Sequence, residues 1–258
     1  MAKRFYQFNK EAGGENLAKR GGRVISGGGN QNSGNSDDEL VDLNEVTKGA
    51  TDFYEKNQKV ILGGLVAFAL LVGGYFVYKF LYLAPREQKA IEAMAIAEGL
   101  FAQDSFAIAL ETSSGAYEGF LDIIDNYSGT KTANTAKFYA GISYLNLGKF
   151  ESAEEYLESY SPKDEITPAM RYGALADVKA ELKDLESAID LYSKAASSAG
   201  KNDVIAPYYL NKLGLLQYKQ GKLDEALTTM NKIISDFPKS MTSADAEKLK
   251  ARIEAEKM

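Results

Sequence analysis

Ala140-Gly141-Ile142-Ser143-Tyr144-Leu145-Asn146-Leu147-Gly148-Lys149-Phe150-Glu151-Ser152-Ala153-Glu154-Glu155-Tyr156-Leu157 is the stretch that decides the fold. Ala140, Tyr144 and Leu147, then Phe150, Ala153 and Leu157, recur at steps of three and four, the spacing of one helix face. Gly148 interrupts them and fits the turn between two helices. The stretch therefore reads as two helices folded back on each other. Gly141 and Ala153 supply the small side chains that let such a pair approach closely.

The same pattern returns twice downstream. One copy carries Leu175-Ala176, then Leu182, Leu185, Ala188 and Tyr192. The other is Leu213-Gly214-x-x-Gln217-x-x-x-Gly221-x-Leu223-x-x-Ala226-x-x-x-Met230, closed by Pro238. Ala153, Ala188 and Ala226 follow one another at 35 and 38 residues, close to the period of about 34 expected of stacked helical hairpins. This arrangement resembles the tetratricopeptide pattern, although the tryptophan of its strongest consensus is absent. A degenerate unit is expected before the three, with residues 86–103 as its first helix and Ala116, Phe120 and Ile123 in its second. Pro162, Pro168, Pro207 and Pro238 all fall between helices or at their starts, where a missing N–H does no harm.

Upstream, Val60 to Leu83 reads VILGGLVAFALLVGGYFVYKFLYL, uncharged from Val60 to Tyr78. About 20 apolar helical residues cross a bilayer core of roughly 30 Å. Lys79 sits one turn inside the end, where its stem reaches the interface, and Tyr75, Tyr78 and Tyr82 form an aromatic belt there. A cleaved signal peptide is a poor alternative: its n-region would hold 59 residues, and Leu81 and Tyr82 stand where small residues should precede the cut after Ala84. Residues 1–45, with the run Gly27-Gly28-Gly29-Asn30-Gln31-Asn32-Ser33-Gly34, have too few apolar groups to offset chain entropy. The expected organisation is all-α: a disordered cytoplasmic tail (1–45), a juxtamembrane segment (46–59), a transmembrane helix (60–83) and a tetratricopeptide-like α-solenoid of three repeats plus a degenerate first one (84–258).

Charge gives the expected orientation. Lys48, Lys56 and Lys59 before the span nearly balance Lys79, Arg86 and Lys89 after it. The tail adds Lys3, Arg4, Lys10, Lys19, Arg20 and Arg23, which resist translocation. From Arg86 onward there are 20 basic and 27 acidic residues, the balance of an exported domain and one that repels phosphate backbones. No nucleic-acid partner is expected. The cluster Lys19, Arg20 and Arg23 reads as part of a solvated tail.

The chain has neither cysteine nor histidine. That removes disulfides, thiolate sites, the commonest general base and the commonest metal ligand. Gly141…Gly148-Lys149 and Gly214…Gly221-Lys222 have six residues between the glycines where a phosphate loop needs four, and no Ser/Thr follows the lysine. Ser198-x-x-Lys201 matches an acyltransferase pair, but its companion motifs are missing. Glu154 and Glu155 look like a solvated face. No cofactor, metal, small-molecule substrate or catalytic residue is expected.

Binding surfaces are the better candidates. If the first helix of each hairpin lines a groove, as the tetratricopeptide resemblance implies, the lining holds Thr135, Phe138, Ile142, Leu145 and Asn146. Met170, Asp177 and Glu181 follow, then Tyr208, Asn211, Leu215 and Tyr218. Such a mixture suits an extended or helical peptide with a basic element; alternatively, several of these residues pack against a neighbouring helix. In the span, Gly63, Ala67 and Gly74 fall near one face, a second candidate for close helix contact.

Phe53-x-x-x-Asn57-x-Lys59 leading into Val60-Ile61-Leu62-Gly63, followed by degenerate repeats, resembles the YfgM-type ancillary subunits of the bacterial Sec translocon. Leu121-Asp122-Ile123-Ile124-Asp125-x-Tyr127 and Tyr139-Ala140-Gly141-Ile142-Ser143-Tyr144-Leu145 are similar to the version found in the Bacteroidetes group. The likeness covers residues 53–238, and the long Gly/Asn tail departs from it. It implies an inner-membrane protein with a cytoplasmic N-terminus. Its periplasmic repeats would work beside translocon subunits, a membrane-anchored periplasmic chaperone of the PpiD type and nascent secretory chains. An adaptor in another envelope secretion or assembly machine is the alternative.

Overall fold

The computed structural model describes residues 43–111 and 115–258, with side chains from residue 53. The tail expected over residues 1–45, including Lys19, Arg20 and Arg23, lies almost wholly outside them. The described residues divide into two units at Leu62, residues 62–258 forming the compact one. Among the described residues every regular element is helical.

Helix α1 (Leu43–Val77) holds the apolar run, and its helical ladder continues through a π-helical turn (Tyr78–Leu83) into α2 (Ala84–Phe101). The cause of the widened turn lies just beyond it. Pro85 has no N–H to give the carbonyl four residues back, and its ring crowds that carbonyl. Four of the five prolines thus keep to helix starts and loops, and Pro85 alone stands inside a continuous helical stretch. From Leu62 to Tyr82 every side chain is exposed, and this is the helix long and apolar enough to cross a membrane.

The hairpins follow: α5 (Lys131–Asn146) with α6 (Phe150–Ser159), α7 (Thr167–Glu181) with α8 (Leu185–Ser198), and α9 (Ile205–Lys219) with α10 (Leu223–Asp236). Helix α11 (Ser243–Glu256) packs on α10 and closes the array. Each helix packs chiefly on its neighbours in sequence, as in a solenoid. The facing alanines Ala153, Ala188 and Ala226 are wholly buried. Gly141 and Gly214 lie against Leu157 and Met230, so close that a Cβ would overlap them.

One turn geometry repeats in every hairpin. The amides of Lys149, Asp184 and Lys222 donate to carbonyls five residues back, on Tyr144, Lys179 and Gln217, each at 2.9 Å. This is the Schellman closure, whose penultimate residue is left-handed. Gly148 and Gly221 fill that place at φ 71° and 72°, while Lys183 occupies it at φ 66°.

The degenerate unit uses the same turn, which relocates its second helix. Ser105 N–H donates to the Leu100 carbonyl at 3.0 Å, and Asp104 takes the left-handed position at φ 56°. The second helix therefore begins as α3 (Phe106–Leu110), with Ala109 wholly buried where the other hairpins place Ala153, Ala188 and Ala226. It breaks off and resumes as α4 (Phe120–Asn126), where Phe120 and Ile123 are buried. Ala116, expected inside that helix, lies in a bend between the two pieces.

Three clusters of buried side chains run along the array. The first joins α2 to α5, with Phe101, Phe120 and Tyr139 packed ring to ring at 5.0–6.1 Å. The second lies among α5, α6 and α7, and the third extends from α7 to α11.

Candidate protein-binding groove

The first helices of the hairpins, α5, α7 and α9, bring the expected lining residues into one series, but not on equal terms. Phe138, Ile142 and Leu145 are half-buried. They pack against the cluster containing Leu157, Ala174, Leu175 and Val178, and Phe138 meets the Tyr160 ring at 5.3 Å. These three join one hairpin to the next. Asn146 is exposed at the end of α5, its amide nitrogen donating to the Ile142 carbonyl at 2.8 Å. Glu181 is exposed on α7. On α9, Tyr208 and Leu215 are 47% and 39% exposed, and Asn211 is half-buried. Tyr218 is half-covered by α11: its hydroxyl bonds Glu256 at 2.5 Å and the Arg252 guanidinium lies over its ring.

Asp177 is not a free carboxylate. Lys212 reaches across from α9 and donates to both its oxygens, at 2.6 and 2.8 Å, and the Tyr192 hydroxyl donates to it as well. The Lys212 ammonium also lies over the rings of Tyr192 and Tyr208, 5.6 and 5.3 Å from their centres. Burial by itself would lower the Lys212 pKa, but the Asp177 carboxylate outweighs it and the net shift is upward. Burial, then the bond to Asp177, raises the Tyr192 pKa, and burial pushes Tyr209 up to about 12. Lys212 was missed in reading the sequence. The signal available was its spacing of 35 residues from Asp177, one repeat length, which sets the two on adjacent first helices.

Beside Tyr208 opens an apolar cavity of about 440 Å³, lined by Met170, Val204, Pro207, Tyr209 and Met241 among others. The Tyr209 ring that lines it also lies so close to Gly173 that any side chain on residue 173 would overlap the ring. A larger cavity, about 830 Å³, lies between the start of α5 and the loop before α7, bordered by Thr135, Lys131, Lys137, Lys163, Asp125 and Asp164. Among the described residues no group of acidic side chains is gathered as a metal site. Ser198 ends α8, and both it and Lys201 are exposed.

With this geometry in view, comparison with known families is informative for the third hairpin. Residues 210–240 match the tetratricopeptide repeat family. They span most of α9 and all of α10, through Pro238. The chain therefore carries a tetratricopeptide repeat, a protein–protein interaction module, within an all-helical repeat region. No curated protein matches it. In the apolar segment of α1, Gly63, Ala67 and Gly74 are exposed, and a Cβ on either glycine would meet nothing.

Proposed function

We propose that this protein is a membrane-anchored interaction subunit that serves the Sec translocon as an accessory component. In this reading α1 crosses the inner membrane with the N-terminus in the cytoplasm, and the repeats engage a chaperone or emerging chains in the periplasm. The observation that carries it is the unbroken helical path from the exposed apolar segment of α1, through the π turn, into the first helix of the repeat array. A rigid link of that kind holds a binding module at a fixed distance from a membrane partner. The six basic residues of the tail and the acidic balance beyond Arg86 support the orientation.

The groove chemistry favours an apolar anchor over a basic one. Asp177 is already neutralised by Lys212, which leaves Glu181 as the accessible acid. Tyr208, Leu215 and the cavity beside them offer the aromatic and aliphatic surface on which peptide anchors settle. The faces of Gly63, Ala67 and Gly74 suit a partner helix in lipid.

The test is a pull-down of the full-length protein from gently solubilised membranes, with two variants run beside it. Gly63→Leu with Gly74→Leu blocks the small-residue face, and Tyr208→Ala with Leu215→Ala blunts the groove. Channel subunits in the wild-type eluate, lost with the first variant and kept with the second, support the assignment. An eluate holding another envelope complex and no channel component overturns it in favour of an adaptor for that machine.

A further inference from the structure

The start of α2 is where the chain leaves the apolar segment, and the starts of the other first helices line up behind it. Glu87 on α2 accepts hydrogen bonds from the backbone amides of Lys131 and Thr132 at the start of α5, at 2.7 and 3.2 Å. Arg86 stacks on the Tyr82 ring at 4.9 Å and donates to the Asn126 carbonyl. These contacts set the beginning of α5 beside the end of the π turn. Asn134 of α5 is bonded reciprocally to Ser161, at 2.8 and 3.0 Å, in the loop that opens α7. Met170 of α7 lines one cavity together with Val204 and Tyr208 at the start of α9 and Met241 before α11. One edge of the array therefore runs unbroken from the exit of the span to the last helix.

That edge differs from its opposite. Three of its four loops carry an exposed apolar side chain at the mouth of a helix: Ile166 before α7, Val204 before α9 and Met241 before α11, at 45, 73 and 95% exposure; the loop that opens α5 carries none. Each has a lysine two or three residues ahead of it, Lys163, Lys201 and Lys239, all exposed. The hairpin turns on the opposite edge carry lysines too, but among the described residues Leu147, at 38%, is the one large apolar group exposed in those turns, with Met258 beyond the end of α11. Charge alone does not distinguish the edges, because Asp164, Glu165 and Asp203 offset the three lysines. Asp164 is moreover occupied in capping α7, accepting from the amides of Ile166 and Thr167 at 2.8 Å. Aliphatic tips flanked by lysines are the pattern of groups that enter the acyl boundary while ammonium heads stay with the phosphates.

We infer that this edge lies on the membrane surface, with Ile166, Val204 and Met241 dipping into the outer lipid layer beside the anchor. The inference rests on the reading of α1 as a transmembrane helix. Tethering makes the contact intramolecular, so side chains too few to bind a bilayer on their own suffice here. Because insertion and not net charge drives it, neutral and anionic lipids both serve. The groove then opens at the lipid surface, where a chain emerging from the membrane first appears.

The absence of native cysteine makes the test clean. Full-length protein carrying one cysteine, at Ile166→Cys, Val204→Cys, Met241→Cys, Gln220→Cys or Leu70→Cys, is labelled with an environment-sensitive fluorophore. It is then reconstituted in phosphatidylcholine vesicles containing nitroxide lipids. Labels at 166, 204 and 241 should be quenched at least about two-fold more strongly than at 220 on the opposite edge, with strong quenching at 70 inside the span. Quenching at 70 but none above the level of 220 at the three loop positions overturns the edge contact and leaves the anchor standing. Failure at 70 overturns the anchor, and the inference with it. A label at Lys239→Cys should lose its quenching when Ile166→Glu, Val204→Glu and Met241→Glu are combined. Quenching that persists there would show the apolar tips are not what holds the edge down, and would overturn the mechanism.

Discussion

Three glycines separate the effects that a single methyl group has in this array. Gly99 in α2 has open space around it, so Gly99→Ala should gain the full helix-propensity difference of about 1 kcal/mol. At Gly141 the new Cβ would stand 2.6 Å from Leu157 Cγ, 2.9 Å from Cδ2 and 3.2 Å from its backbone nitrogen. Leu157 is wholly buried and its Cγ is one bond from a fixed Cβ, so relief requires α6 to move as a body. Overpacking of that kind costs about 1–3 kcal/mol, and after the propensity gain Gly141→Ala should be destabilised by about 1 kcal/mol. Gly214→Ala makes a still closer approach, yet to the terminal methyl of Met230, at the end of three soft torsions that can swing aside. Its net effect should lie between zero and about 1 kcal/mol of stabilisation. Far-ultraviolet circular dichroism melts of the full chain in micelles should show Tm shifts of about 2–4 °C per kcal/mol. Hydrogen exchange then places them: protection should fall in α5 and α6 for Gly141→Ala, and hold or rise in α9 and α10 for Gly214→Ala. If Gly214→Ala proves more destabilising than Gly141→Ala, distance and not the freedom of the opposing group governs these contacts, and the reasoning is wrong.

Lys183→Gly should stabilise the second hairpin by about 0.5–1 kcal/mol, because Lys183 sits at φ 66° where the neighbouring hairpins carry glycine; a melt that does not move would refute the claim of backbone cost. Asp177→Ala should cost about 1–3 kcal/mol by stranding the Tyr192 hydroxyl and the half-buried Lys212 ammonium, and a double-mutant cycle with Lys212→Met should recover part of it. Tyr139, Tyr144, Tyr156, Tyr192, Tyr209 and Lys212 all have pKa values raised in the folded chain. A raised folded pKa leaves stability intact below the unfolded value and removes it as pH climbs toward the folded one. Stability should therefore be flat up to about pH 10 and fall above it, with Tyr209 contributing between its ordinary value of 10.0 and about 12; a Tm that is level from pH 9 to about 11.5 would contradict the burial assigned to these phenols.

Much of this architecture is legible in the residues because it rests on local rules. The turns at Gly148 and Gly221, the facing alanines and the placement of Pro162, Pro168, Pro207 and Pro238 each follow from backbone geometry within a few positions. The degenerate unit was misplaced for the same reason in reverse. Asp104 does the work of a glycine at its turn, and nine residues separate Leu110 from Phe120, so neither a glycine nor the standard period marks Ala109, in place of Ala116, as the facing alanine. What was not legible is what depends on neighbours in space. The groove positions on α5 follow the repeat register, but whether Phe138, Ile142 and Leu145 face solvent is decided by the volume of Leu175 and Val178 one hairpin away. The state of Asp177 is decided by Lys212, and that of Tyr218 by a closing helix the repeat pattern does not contain.

The junction at Pro85 joins the apolar segment of α1 to the repeat array in physical terms. A proline in the middle of a long helix ordinarily makes a kink that can flex. Here the ladder passes through the π turn instead, and the region around it is pinned on two sides. Arg86 grips the Tyr82 hydroxyl at 2.8 Å and the Asn126 carbonyl, and Glu87 caps the first amides of α5. A free hinge would let the repeats sample every orientation about the span, and no edge of the array would be preferred at the membrane. Pinning removes that freedom, so under the proposed anchoring the same loops that open α5, α7, α9 and α11 would be presented to the same surface. Breaking the pins with Arg86→Ala and Glu87→Ala should then weaken the quenching of a label at residue 241 more than that at residue 166, since an error in angle at the junction grows along the array.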